Sequence, residues 1–294
     1  MNKQVLVTGA NGQLGNELKE LSAAVPFLDF VFVDIDELDL TDDRSVFCFF
    51  AKNPIDYVIN CAAYTAVDKA ESEPGQAQMV NTNAPEILLK AAMEYNPEVK
   101  MIHISTDYVF DGEKNTPYTE DDEVNPTGVY GKTKLEGEKR IQDNDNVIII
   151  RTSWLYSSFG HNFVKTVLRL AEERDELRIV SDQVGTPAYA ADLAKVILHI
   201  LEKDVKDNFF KPGIYHFSNE GVASWYDFAV NILELAGTDK KVIPIKTEEF
   251  PTLAKRPHFS VLDKTKIKKT YNIEIPYWRN SLKRCLKRLG NLER

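Results

Sequence analysis

Cysteine is scarce in this chain of 294 residues: Cys48, Cys61 and Cys285 are odd in number and far apart. They show no metal-type spacing, and their number points to a reducing, cytoplasmic compartment. No apolar run approaches membrane-spanning length. The first strand begins at about residue 4, which leaves no room for a signal peptide. Positive charge is not in excess either. A net charge of −9 argues against a nucleic-acid or anionic-membrane surface. Internal repeats and low-complexity linkers are absent. What is present, 43% hydrophobic and 28% charged residues, is ordinary for a globular chain long enough for one large α/β domain and a smaller one.

The first informative segment is Gln4-Val-Leu-Val-Thr8, an apolar, β-branched run read as a buried strand. Gly9-Ala-Asn11-Gly12-Gln13-Leu14-Gly15 follows at once, and Asn16 to Leu21 reads as helix. The spacing is G-x-x-G-x-x-G rather than the commoner G-x-G-x-x-G. Glycines there permit a tight turn and let the backbone approach a pyrophosphate at the positive end of a helix. A second run, Phe30 to Val33, ends at Asp34, 19 residues past Gly15. A carboxylate about 20 residues on suits an adenosine ribose.

Strands and helices then alternate. Thr41 is the expected N-cap of a helix through Lys52, closed by Pro54. Tyr57–Asn60 and Lys100–Ser105 read as the third and fourth strands, with helix from Pro74 to Tyr95 between them, restarted or kinked at Pro85. Residues 107–127 read as loop and Gly128–Gln142 as helix. Val147–Arg151 and Leu177–Val180 complete six strands. Helical crossovers between strands argue for a doubly wound parallel sheet. Gly9, Asp34, Ala62, Thr106 and Trp154 all fall at carboxyl ends of strands, where such sheets bind ligands. In the last 90 residues, Gly213–Phe217 and Val242–Ile245 are short strands and Ser224 caps a helix to Leu235. Trp278, Leu282, Cys285, Leu286 and Leu289 form a helical apolar stripe. Its basic neighbours read as a solvated face.

Tyr130 and Lys134 stand four apart in the Gly128–Gln142 helix, hence on one face. An ammonium beside a phenol lowers the phenol's pKa from about 10. A phenol tuned that way can give a proton to a carbonyl receiving a hydride. With 12 tyrosines in the chain, chance alone supplies such a spacing, so its position beyond a glycine turn carries the argument.

Seven stretches run in one order across nearly the whole chain: Val7–Gly15, Asn60–Glu71, Ser105–Gly112, Tyr130–Lys134, Arg151–Trp154, Asp182–Pro187 and Arg256–Ser260. On them the chain resembles the extended short-chain dehydrogenase/reductases, and closely the dTDP-4-dehydrorhamnose reductases. The resemblance implies a Rossmann domain over residues 1–154 and a smaller C-terminal α/β substrate region over 155–294. A strand near 177–181 and a helix near 190–203 would return to the Rossmann sheet. It implies reduction of the 4-keto group of a dTDP-linked 6-deoxyhexose by NADH or NADPH. Tyr130 would be the proton donor, and Lys134 would hold the nicotinamide ribose and lower the pKa of Tyr130. Thr106 would hydrogen-bond the keto oxygen, or else be a strand-end hydroxyl satisfied by its own backbone.

The same resemblance puts the cofactor on Gly9, Asn11 and the Gly12-Gln13-Leu14-Gly15 turn. Its adenosine would lie near Asp34, Asp39 and Leu40, and its middle along Ala62-Ala63-Tyr64-Thr65. Trp154 would pack against the nucleotide-sugar, or belong to the core. Asp107 and Arg256 are weaker substrate candidates. Asp34 would repel a 2′-phosphate, and no arginine precedes Arg44, so NADH is favoured slightly over NADPH. Related nucleotide-sugar dehydratases place Asp-Glu after the active-site threonine. Here Asp107-Tyr108 follows Thr106, so the second carboxylate is missing. The regulatory subunit of methionine adenosyltransferase also resembles this family, which keeps a non-catalytic, cofactor-binding subunit as the alternative, as is a reductase for another nucleotide-linked 4-keto-6-deoxy sugar. Some relatives bind a metal between subunits. Glu17 could match one ligand, but Ala191 stands where a second acid is wanted, so no metal is expected and homodimerisation is left open.

Overall fold

The computed structural model describes residues 2–290. The first half is a regular alternation. Strand β1 (Lys3–Thr8) enters the glycine turn and α1 (Gln13–Leu21), and β2 (Leu28–Val33) leads to α2 (Asp43–Lys52). Strand β3 (Tyr57–Asn60) is followed by α3 (Val67–Ser72), α4 (Pro74–Gln78) and α5 (Ala84–Tyr95), with a π-helical turn at Met79–Asn83 before Pro85. Then come β4 (Lys100–Thr106), α6 (Val129–Ile141) and β5 (Val147–Thr152).

The second half is more broken. It holds β6 (Leu155–Tyr156), α7 (Phe163–Glu173), β7 (Glu176–Val180), β8 (Val184–Gly185), β9 (Ala188–Tyr189) and the long α8 (Ala190–Asp207). After them come β10 (Gly213–Phe217), β11 (Ala223–Ser224), α9 (Trp225–Leu235), β12 (Lys241–Ile245), α10 (Thr265–Tyr271) and α11 (Trp278–Leu289).

The central sheet is six-stranded and parallel, in the order β10-β5-β4-β3-β1-β2. Alternate residues of each strand serve opposite faces. Val5, Val7, Ile59, Ile102, Ile148 and Ile150 pack toward α1 and α8. Leu6, Val58, Met101, Val147 and Ile149 pack toward α2 and α5. A strand buried on both faces must be apolar throughout, which is why these segments read as continuous runs. The order reverses between β1 and β3, and a crevice opens at such a switch point beyond the carboxyl ends.

Two expectations are corrected here. Leu177–Val180 is not a strand of the central sheet. Strand β10 takes that edge, pairing Gly213–Phe217 with Ile148–Thr152. Strand β7 pairs instead with β12 in a separate two-stranded ribbon. Only Leu177 in it is fully buried, a one-sided strand suited to a ribbon rather than to a sheet sandwiched by helices. The long helix α8 packs on α1 against one face of the sheet. Thr41, second, is not the cap of α2. Asp42 accepts from the Arg44 N–H at 3.1 Å and from the Ser45 hydroxyl, while Thr41 donates to Asp39. A carboxylate one residue later outcompetes the threonine for the free N–H groups.

A separate core lies under the second region. Trp278, Leu282, Cys285 and Leu286 of α11 are buried against Phe228, Ile232 and Leu233 of α9 and Val164 and Val167 of α7. Each such Leu stabilises by about 1.5–3 kcal/mol over an exposed one. Ser224 caps α9 with a full capping box to Asp227, as the sequence predicts. No helix among the described residues is long and apolar enough to cross a membrane.

Candidate active site

A cavity of about 950 Å³ opens at the carboxyl ends of β1 to β5. Its wall at the β1–β2 side is mostly backbone. Gly9 takes a left-handed φ of +64°, and a Cβ there would meet Ala62 N at 2.7 Å. A Cβ on Gly15 would lie 2.4 Å from the Gly9 carbonyl oxygen. These glycines therefore serve the close approach of α1 to the turn and of the turn to the segment after β3. Helix α1 starts at Gln13, and no side chain caps its first turn. Its free N–H groups and dipole are left for an anion. Asp34 accepts from the Asn11 N–H at 2.7 Å and from the Ile35 N–H at 2.9 Å, and so ties the glycine turn to the end of β2.

Gly12, Gln13, Leu14, Asp39, Leu40, Ala62, Ala63, Tyr64 and Thr65 line the same cavity, with Asn11 and Asp34. An uncapped helix end, a glycine cradle and a carboxylate beyond β2 fit a dinucleotide. The side chain of Asn81, in the π turn, donates to the Tyr64 carbonyl and accepts from the Tyr64 N–H, and it also donates to the Thr133 hydroxyl of α6. The Ala62–Thr65 wall is thereby pinned to α6. Gly137 makes room for this, since a Cβ there would lie 2.1 Å from the Asn81 carbonyl oxygen.

The other end of the cavity is built from buried and half-buried side chains. Thr106 ends β4. Its hydroxyl accepts from the Tyr108 N–H at 3.2 Å and donates to Asp107 Oδ1 at 3.0 Å. The backbone does satisfy this hydroxyl in part, and it still faces the cavity. Tyr130 stands edge-on to Tyr108, with ring centroids 5.5 Å apart. The next residue must be small: a Cβ on Gly131 would lie 2.2 Å from the Tyr108 carbonyl oxygen. Asp107 is buried, and Oδ2 has no hydrogen-bond partner. Burial pushes its carboxyl up to about 7, partly offset by hydrogen bonds with Ser260 and Thr106.

The expected acid pairing takes a different form. Lys134 Nζ donates to the Ile104 carbonyl at 2.7 Å and lies 3.3 Å from His103 Nε2. Burial pushes the Tyr130 phenol up to about 12, with Thr106 drawing it back and the charge of Asp107 adding to the rise. Lys134 is pushed down to about 8 by burial, against the opposing charge of Glu138. Desolvation outweighs the ammonium here because the lysine tip is directed at β4 rather than at the phenol. The phenol is consequently protonated at neutral pH, as a proton donor must be.

Behind Lys134, Glu138 of α6 forms a buried ion pair with Arg151 of β5, with Nη2 to Oε2 at 2.7 Å. Breaking such a pair costs about 3–5 kcal/mol, so it holds α6 firmly on the sheet.

Trp154 lines the cavity with a φ of 46°, a backbone strain rarely kept outside functional sites. Its indole stacks on Trp225 at 3.5 Å and 7°, and a Cβ on Gly185 would strike it at 2.7 Å. Arg256 is not part of the cavity wall. It pairs bidentately with the partly exposed Asp68 carboxylate, Nη2 to Oδ2 at 2.7 Å, which engages its guanidinium. Glu17 is buried, accepting from Ser157 and Arg288. No cluster of three potential metal ligands occurs among the described residues.

Sequence reasoning missed Ser105, Tyr108, Gly160 and His161, which also line the cavity. Ser105 and Tyr108 flank Thr106 and Asp107 and could have been added on adjacency. Gly160 and His161 arrive from the loop after β6 and carry no local signal.

Fold and site together define a dinucleotide-dependent oxidoreductase of the extended short-chain type. A family model described as the RmlD substrate binding domain matches residues 3–291. A dTDP-4-dehydrorhamnose reductase of Aggregatibacter actinomycetemcomitans is 43% identical over 95% of this chain and 97% of its own. The crystal structure of a dTDP-4-dehydrorhamnose reductase from Clostridium acetobutylicum, 44% identical, superposes with a TM-score of 0.91 over 98% of this chain and 99% of that one. One from Bacillus anthracis in complex with NADP, 36% identical, gives 0.92 over 98% and 100%. The chain belongs to the dTDP-4-dehydrorhamnose reductase family.

Proposed function

We propose that this protein reduces the 4-keto group of dTDP-4-dehydro-L-rhamnose to give dTDP-L-rhamnose, using NADH or NADPH. The observation that carries the reading is the convergence of Thr106, Tyr130 and Lys134 at one end of a cavity whose other end is a glycine cradle beneath an uncapped helix. The bound dinucleotide supplies a hydride to C4. Tyr130 gives its proton to the oxygen that gains charge, and an alkoxide is basic enough to take it from a phenol held at about 12. Thr106 meets the same oxygen once its hydroxyl turns from Asp107. Lys134 holds the nicotinamide ribose, and Trp154 packs against the nucleotide-sugar.

The Asp34 carboxylate, fixed by two backbone N–H groups, would repel a 2′-phosphate on an adenosine bound beyond β2, which supports a preference for NADH. The test is loss of NADH absorbance on adding dTDP-4-dehydro-L-rhamnose, with other nucleotide-linked 4-keto-6-deoxy sugars alongside. Turnover with the rhamnose precursor at the highest kcat/KM is expected. Tight cofactor binding with no consumption on any such sugar would instead identify a binding subunit.

A further inference from the structure

Four buried polar side chains run as one line through three strands to the Lys134 amine. Thr8, Asn60, His103 and Lys134 are each no more than 1% exposed. The Thr8 hydroxyl donates to Asn60 Oδ1 at 2.8 Å, and the Ala62 backbone N–H donates to the same oxygen at 3.2 Å. A backbone N–H cannot reverse its role, so it fixes which end of the Asn60 amide is oxygen. The Asn60 Nδ2 group therefore faces His103 Nδ1, at 3.1 Å, and donates to it. With Nδ1 accepting, a neutral ring carries its single proton on Nε2. Burial and the nearby lysine keep the ring neutral, holding its pKa well below the usual histidine range. That N–H points at Lys134 Nζ, 3.3 Å away.

We propose that His103 is a positioning residue for Lys134: locked by Asn60 as the Nε2–H tautomer, it donates to the free amine and opposes the ammonium. The amine geometry agrees. One N–H of Lys134 goes to the Ile104 carbonyl at 2.7 Å, and a lone pair is available to Nε2–H only when the nitrogen is uncharged. An ammonium has no lone pair and would set two hydrogens against each other.

The remaining titratable groups that act on this nitrogen are Cys61 after β3 and Glu138 on the same helix. Glu138 favours the charged form, but its carboxylate is shared with Arg151. Cys61 is a buried thiol whose pKa burial pushes up, so it stays uncharged. His103 is thus the group that tips the balance on the β4 side. It is fully buried and does not line the cavity, yet it governs how much charge Lys134 brings there. This inference rests on the reading of Lys134 as the cation that serves the cofactor and the phenol.

The experiment reads Lys134 directly, without substrate. Protein carrying 13C at lysine Cε is titrated by NMR from pH 6 to 11, and the Lys134 signal is assigned by its loss in Lys134→Met. In His103→Gln the side-chain amide can turn its oxygen to the ammonium. Its Lys134 midpoint is expected at least one pH unit above wild type, a tenfold change in the ionisation constant. His103→Asn, which keeps the Asn60 partner and loses the lysine contact, falls between the two. An unchanged midpoint in a folded His103→Gln protein overturns the proposal. Histidine 15N shifts of the wild type decide it independently of any variant: a proton on Nε2 of His103 supports it, and a proton on Nδ1 overturns it. If the midpoint moves but no 4-keto sugar is reduced, the proposed function fails and the lysine–histidine coupling stands.

Discussion

The two ends of the cavity are built from different materials. At the β1–β2 end, Gly9, Gly12 and Gly15 line the cavity with backbone, and Asp34 grips the Asn11 N–H. At the β4–α6 end stand Thr106, Asp107 and Lys134, which are buried, and the half-buried Tyr130, and the charge states of the last three are shifted by desolvation and by their neighbours. Shape does the work at the first end and titration at the second. Binding of a phosphate group needs only N–H groups and room, whereas proton delivery needs a group held near its working charge state. Substitutions at the two ends should therefore fail differently.

The largest effect is expected at the titrating end. Tyr130→Phe should lower kcat about 10²–10⁴-fold while the dissociation constant for NADH, followed by fluorescence, stays within a few-fold of wild type. Retained turnover in this variant would erase the distinction between the ends. At the shape end, Gly15→Ala puts a methyl group against the Gly9 carbonyl. Overpacking of this kind costs about 1–3 kcal/mol, so KM for the cofactor should rise on the order of tenfold with kcat much less affected.

The pH dependence of stability separates the ends again. Lys134 is held at about 8 against 10.5 for the free side chain. Between those values the unfolded chain binds a proton that the folded chain has released, so stability contributed by this group rises with pH across that window. Below about pH 8 the full cost of burying the charge is present. Denaturant midpoints at pH 8 and 9.5 should show wild type gaining on Lys134→Met by on the order of 1 kcal/mol per pH unit. Equal slopes would show that the lysine is not desolvated. The smallest effect is at Asp34→Ala, which should shift the ratio of kcat/KM for NADH over NADPH toward NADPH a few-fold. Equal or better efficiency of the unaltered protein with NADPH would remove the carboxylate from the account of cofactor choice.

The same contrast explains what could be read from the chain alone. Strands β1 and β3 to β5 are legible because burial on both faces forces unbroken apolar runs such as Val147–Ile150. The glycine turn and the Tyr130–Lys134 spacing are legible because local geometry dictates them. Strand partnership is not local. Leu177–Val180 and Gly213–Phe217 are comparable short runs, and only the path of α8 across the sheet decides that the second joins β5. The direction of a long side chain is equally hidden. Spacing placed Lys134 beside Tyr130 but could not show its tip bonded to Ile104. A histidine inside the apolar segment Lys100–Ser105 reads as core until Asn60 is found next to it. Gly131 and Gly137 look like weak points in α6 until the carbonyls of Tyr108 and Asn81 are seen against them.

Asn81 has a consequence for motion. By stitching Tyr64 to Thr133, it makes the Ala62–Thr65 wall and the helix bearing Tyr130 a single rigid slab, with the Glu138–Arg151 pair as a second rivet. Any narrowing of the cleft during turnover is expected from the facing lip, where Trp154 leans on Trp225 and, among the described residues, neither indole is tied to α6 by a hydrogen bond.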